Sequence, residues 1–116
     1  MSAIWGVIDL SGENIKSETA TDMKKTYENY KIDRFCECLN SNVLFGCAHQ
    51  HITDISVKEQ LPIYEDGIYF TADAIIDNRK QLKKELGINC DISDGRLIFN
   101  AYKKWGVAAV NHLIGI

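Results

Sequence analysis

Ile4 to Leu10 (Ile-Trp-Gly-Val-Ile-Asp-Leu) is apolar and rich in β-branched residues, and Ser11-Gly12-Glu13-Asn14 follows it as a turn. That pattern predicts a strand almost at the start of the chain. From Thr19 to Tyr30 the apolar positions are Ala20, Met23, Tyr27 and Tyr30, and their spacing of three and four predicts an amphipathic helix. Asn42 to Ile52 reads as a second strand and Gly67 to Asp73 as a third, which Ile75-Ile76 extends. Asp77 or Asn78 then caps a short helix through Leu86, and Gly87 terminates it. Ser93 caps a longer helix whose inner face carries Leu97, Ile98, Ala101, Tyr102 and Trp105 and which Gly106 stops. A last amphipathic segment runs from Val107 to Ile114.

Clustered strands followed by clustered helices predict an α+β layered fold rather than a doubly wound sheet. At 116 residues the chain is expected to be one domain, residues 1–116, with no repeat and no linker. Its end, His112-Leu113-Ile114-Gly115-Ile116, is apolar and has no polar tail, which predicts that a further strand follows in a longer chain. Net charge is −3, from 13 basic and 16 acidic residues, which argues against non-specific nucleic-acid binding. Apolar runs are too short for a membrane-spanning helix. The opening Met1-Ser2-Ala3-Ile4-Trp5-Gly6 lacks the basic and long apolar regions of a secretory signal, so a cytoplasmic location is expected. Cys36, Cys38, Cys47 and Cys90 are then expected as free thiols.

Several segments, taken in order, resemble the class II glutamine amidotransferases and, among them, asparagine synthetase. The family domain opens with Met-Cys-Gly-Ile and a strand; this chain opens Met1-Ser2-Ala3-Ile4. The family's Ala/Gly-His-x-Arg-Leu-Ser-Ile stretch is matched by Ala48-His49-Gln50-His51-Ile52-Thr53, and its following Gln-Pro by Glu59-Gln60-Leu61-Pro62. Its Asn-Gly-Glu-Ile-Tyr-Asn motif, which runs into a helix ending in Leu, lines up with Asp73-Ala74-Ile75-Ile76-Asp77-Asn78-Arg79-Lys80-Gln81-Leu82. Its Ser-Asp-x-Glu, which opens a helix running to Ala-Tyr-x-x-Trp-Gly, lines up with Ser93-Asp94-Gly95-Arg96 and Ala101-Tyr102-Lys103-Lys104-Trp105-Gly106. Leu113-Ile114-Gly115-Ile116 is similar to the first half of the next family segment.

The resemblance spans the chain. It implies an N-terminal-nucleophile hydrolase type of layered sandwich, antiparallel sheets between helices, incomplete at the C-terminus. It also implies a parent ligase whose absent synthetase domain would use ATP and Mg to adenylate a carboxylate, as in asparagine biosynthesis. No cofactor is expected of this part. The implied partners are glutamine and the missing synthetase domain; the apolar C-terminus adds a homodimer as a candidate, and charge and short apolar runs lead to no nucleic-acid or membrane partner being expected.

Family chemistry needs an N-terminal cysteine nucleophile with its α-amino group as base, an oxyanion hole, and an Arg and an Asp that hold glutamine. The resemblance puts Ser2 at the nucleophile, and a hydroxyl is a poorer nucleophile than a thiol. It puts Asp73 and Ala74 at the oxyanion hole. An ionised carboxylate has no donor and opposes the developing charge, where loss of one donor alone typically costs about 10²–10³ in rate. The backbone N–H of Ala74 could still donate. His51 stands where an Arg would take the glutamine carboxylate, and a neutral imidazole cannot make that bidentate contact. Asp94 keeps the family residue for the glutamine amine, and is equally well read as a helix N1 acid favoured by the dipole.

The expected activity of the chain is therefore little or no glutamine hydrolysis, a degenerate domain like those of the β-lactam synthetases and lasso-peptide cyclases. The alternatives are an active amidohydrolase with N-terminal Ser2, which requires removal of Met1, and a non-catalytic protein-interaction domain. Cys47, His49 and His51 alternate along one predicted strand near Cys36 and Cys38, a pattern that invites zinc, but the spacing fits no standard zinc module and no metal is expected.

Overall fold

The computed structural model describes residues 2–116 as an α+β protein with two small antiparallel sheets and three α-helices. The expectation about Met1 lies outside the described residues. Two compact units are present: the chain up to His51 together with Leu61–Asp73, and Ile52–Gln60 together with Ala74–Ile116. Among the described residues no helix is long and apolar enough to cross a membrane.

The first unit is built on a three-stranded sheet in the order β1–β3–β2, with β1 Ala3–Ile8, β2 Arg34–Asn40 and β3 Val43–His49. Both pairings are antiparallel. β1 ends two residues earlier than its apolar run predicts: Asp9 turns the chain, accepting from the Ser11 hydroxyl at 2.5 Å and the Ser11 N–H at 2.8 Å. Those bonds, the hydroxyl's first, hold the Asp9 carboxyl below its ordinary range. β3 is the central strand, and Leu44, Gly46, Cys47, Ala48 and His49 are all buried. Burial of consecutive residues means that both faces are covered. On one face Trp5 lies opposite Gly46 and stacks on Tyr27, with ring centroids 5.2 Å apart. On the other, Phe45 meets Tyr69 edge-on at 6.0 Å.

The predicted helix over 19–30 is shorter and earlier, α1 Ser17–Lys25. Its dipole is matched by Glu18 in the first turn and Lys24 and Lys25 in the last. The Thr26 hydroxyl donates to Met23 O at 2.7 Å, and residues 26–30 continue as turns. Tyr27 and Tyr30 thus sit beyond the helix. β2 escapes the sequence reading because it alternates badly: register places Glu37 on the face of Phe35 and Leu39, and Arg34 on the face of Cys36 and Cys38. As an edge strand it tolerates this mixture.

The predicted third strand, Gly67–Asp73, is the second arm of a hairpin, β4 Ile63–Glu65 and β5 Ile68–Phe70. Asp66 and Gly67 make its turn with φ of 53° and 76°, the Asp-Gly pair that a two-residue hairpin favours. Ile76 does not extend this strand. It makes an antiparallel bridge to Gly115, with Ile75 N–H donating to Ile116 O at 2.7 Å.

In the second unit, α2 (Arg79–Leu86) ends at Gly87 in the left-handed region, with Ile88 N–H closing on Lys83 O at 2.8 Å. α3 (Asp94–Trp105) begins at Ser93, whose hydroxyl accepts the Arg96 N–H, as its sequence predicts. A 3₁₀ helix, Gly106–His112, follows where the last amphipathic segment is expected. The core joins Ile76, Leu82, Leu97, Ala101 and Ala109, with Leu86, Ile88, Ile92, Ile98, Trp105 and Leu113 packed against it. Tyr102, expected inside, is exposed, whereas Phe99 is fully buried.

A Cβ on Gly46 would overlap the Trp5 indole. We therefore expect Gly46→Ala to destabilise by about 1–3 kcal/mol, the usual cost of overpacking, and to red-shift tryptophan emission as Trp5 is displaced. Urea unfolding followed by fluorescence checks both.

Candidate functional site

Ser2 precedes β1, Gln50 and His51 follow β3, and Asp73 lies three residues beyond β5. Because β1 and β3 are antiparallel with Ala3 opposite Ala48, the start of β1 and the exit of β3 are at one end of the sheet. The Ser2 N–H donates to Asp73 Oδ1 at 3.3 Å, and Ser2 Oγ accepts the Gln50 N–H at 3.2 Å. Two residues 71 positions apart thus meet in the first unit. Ser2 is half-buried and Asp73 exposed.

His51 is held by its backbone. Its N–H donates to Asp33 Oδ2 at 2.7 Å, while Asp33 N–H donates to His49 O at 2.9 Å. Its Nε2 is buried without a hydrogen-bond partner among the described residues. β3 ends at His49, so the strand alternation that joins Cys47 and His49 does not extend to His51. His49 Nε2 faces Leu61 O at 2.9 Å and Nδ1 faces Cys47 Sγ at 3.7 Å. A carbonyl only accepts, so Nε2 carries the proton and Nδ1 accepts from the thiol. Among the described residues no group of three or more His, Cys, Asp or Glu side chains is gathered to hold a metal ion.

Ala74 and Asp94 belong to the second unit. Asp94 is the first residue of α3 and is ion-paired with Arg79 of α2, whose second guanidinium nitrogen donates to Ile92 O at 2.5 Å. The pair is mostly buried, with side chains 20% and 17% exposed. Glu59 completes this helix start: one carboxylate oxygen accepts the Ser93 hydroxyl at 2.7 Å and the other the Gly95 N–H at 2.8 Å. A carboxylate over the first N–H groups of a helix satisfies orphan donors and matches the dipole.

The sequence reading did not single out Gln50, Asp33, Arg79 or Glu59. Arg79 carried a weak signal: with Lys80 it sets two cations at the start of a helix, where positive charge opposes the dipole unless an acid faces it. Comparisons with protein-family profiles, curated proteins and solved structures find no match to this chain.

Removing Arg79 leaves Asp94 as a largely buried, unpaired charge, which costs about 3–5 kcal/mol when the pair is fully buried and somewhat less here. The Lys25–Asp22 pair is 59% and 72% exposed, and exposed pairs contribute under about 1 kcal/mol. Arg79→Met is expected to lower the denaturation midpoint well beyond Lys25→Met, measured side by side in urea.

Proposed function

We propose that this chain is the amidotransferase-like part of an asparagine-synthetase-like ligase, on an N-terminal-nucleophile type of fold, with a glutamine-hydrolysing site that no longer works. The observation that carries the reading is the bond between Ser2 N–H and Asp73 Oδ1. The resemblance assigns those two residues to one site, as nucleophile and oxyanion donor, although they are far apart in the chain. The ordered likeness along the whole chain supports the same reading.

Each departure from the family pattern removes a step. Asp73 presents an acceptor to the N–H of Ser2 where an oxyanion needs a donor. His51 offers no guanidinium for the glutamine carboxylate. Asp94 is no departure: it keeps the family residue, ion-paired with Arg79. The backbone N–H of Ala74 remains chemically able to donate. In this reading the domain serves as a structural partner of a synthetase domain that would bind ATP and Mg, in the cytoplasm.

The test is ammonia release from glutamine, with Met1 removal checked by mass spectrometry and glutamine binding measured by calorimetry. The unmodified chain is expected to release no ammonia above a blank. A Ser2→Cys, His51→Arg, Asp73→Asn variant is expected to regain glutamine binding, and ammonia release at least about 10²-fold above the unmodified chain, the scale of one oxyanion donor. Turnover by the unmodified chain overturns the loss of function. Failure of the folded repaired variant to bind glutamine overturns the assignment of these residues to a glutamine site.

A further inference from the structure

His112 closes the 3₁₀ helix Gly106–His112 in the second unit and takes no part in the site above. Its ring lies face to face on Trp105 of α3, with centroids 3.9 Å apart and planes 1° from parallel. Its Nδ1 is 3.1 Å from Glu85 Oε2 of α2. The other carboxylate oxygen accepts from Gln81 Nε2 at 2.8 Å. Lys104 of α3 sets a second cation here, its Nζ donating to Glu85 O at 2.6 Å and lying 5.1 Å from the Trp105 centroid. Asn78 holds the backbone without any titration, donating to His112 O at 2.8 Å and accepting Ile114 N–H at 3.0 Å.

We propose that His112 is a proton-operated latch that tightens the Gly106–His112 helix onto α2 and α3 when its imidazole is charged. A carboxylate facing Nδ1 fixes that nitrogen as a donor in the neutral ring, so the added proton goes to Nε2. Charging the ring turns the Glu85 contact into an ion pair and the Trp105 stack into a cation–π contact. Lys104 opposes this as a like charge near the same indole, but it is bound to the Glu85 carbonyl, whereas the Glu85 carboxylate contacts His112 directly.

The latch depends on pH. The Gln81 bond first and His112 second hold the Glu85 carboxyl below its ordinary 4.5. Its contribution is therefore present above pH 4.5 and is lost as pH falls through its lowered value. Where carboxylate and imidazolium coexist the latch is closed, and it weakens as rising pH removes the added proton of the ring.

Amide hydrogen exchange of residues 106–113, corrected for intrinsic rates and compared at pH 5.5 and 7.5, tests this. At pH 5.5 the unmodified chain is expected to be protected by roughly fivefold more, the scale of one cation–π contact with an exposed ion pair. His112→Gln keeps a hydrogen-bonding side chain without the charge and is expected to lose the difference. Glu85→Gln is expected to lose about half of it. Tryptophan emission gives a second readout, since an imidazolium stacked on indole quenches it: the drop toward pH 5.5 is expected in the unmodified chain and absent in His112→Gln. Equal protection at both pH values, or an unchanged pH response in His112→Gln, overturns the proposal.

Discussion

The first unit depends on Trp5 lying over Gly46. A side chain at position 46 would occupy the space of the indole, so the ring and the glycine specify each other. The same ring stacks on Tyr27 and lies 6.5 Å from Phe35, which ties β1, β2 and the turn after α1 into one packing unit. A Trp buries about 150–250 Å², which at about 25 cal/mol per Å² contributes roughly 4–6 kcal/mol. The indole N–H has no acceptor among the described residues, at a cost of about 1–3 kcal/mol. Burial wins, and with it the register: a slip of one residue would turn Trp5 to the opposite face of the sheet. Ala3 then lies opposite Ala48, and Ser2 falls beside the N–H of Gln50.

In the second unit the equivalent organising feature is polar. Glu59 from one segment and Arg79 from α2 both converge on the start of α3, one on the Ser93 hydroxyl and the Gly95 N–H and one on Asp94. Under the amidotransferase reading this has a functional meaning. Asp73 and Asp94, the two carboxylates at substrate-handling positions, have internal partners: Asp73 the N–H of Ser2, Asp94 the guanidinium of Arg79. Residues freed from catalysis can be taken over by the fold, because a satisfied carboxylate stabilises where a poised one is strained or desolvated without compensation.

The parts legible in the sequence were those whose signal is local. Ser93, Gly87 and Gly106 marked the helix ends because capping and left-handed termini require particular residues at particular positions; Asn78 stands before α2 as expected, but its side chain bonds His112 and Ile114 and does not cap the helix. β3 was legible as an apolar run. β2 was not, because an edge strand can mix Glu37 and Arg34 with apolar neighbours and so carries no period. Asp66-Gly67 carries a local turn signal, but the apolar residues on its far side read equally as one longer strand from Gly67. Phe99 and Tyr102 exchanged their expected burial because helical periodicity fixes which residues share a face, not how many faces are covered. At the candidate site, Ser2 and Asp73 were legible only through the resemblance. Arg79 and Glu59 were hidden because an ion pair and hydrogen bonds between segments leave no spacing pattern.

The β1–β3 register set by Trp5 on Gly46 carries Ser2 to Gln50 and Asp73. The most direct measurement is solution NMR of the Gln50 amide in the unmodified chain and in Ser2→Ala. With Ser2 Oγ as its acceptor, the Gln50 amide proton should show a cross-relaxation peak to the Ser2 β-protons, move upfield in Ser2→Ala and exchange faster there. No such peak, together with a Gln50 amide indifferent to the substitution, would contradict the placement of Ser2 on which the proposed site rests.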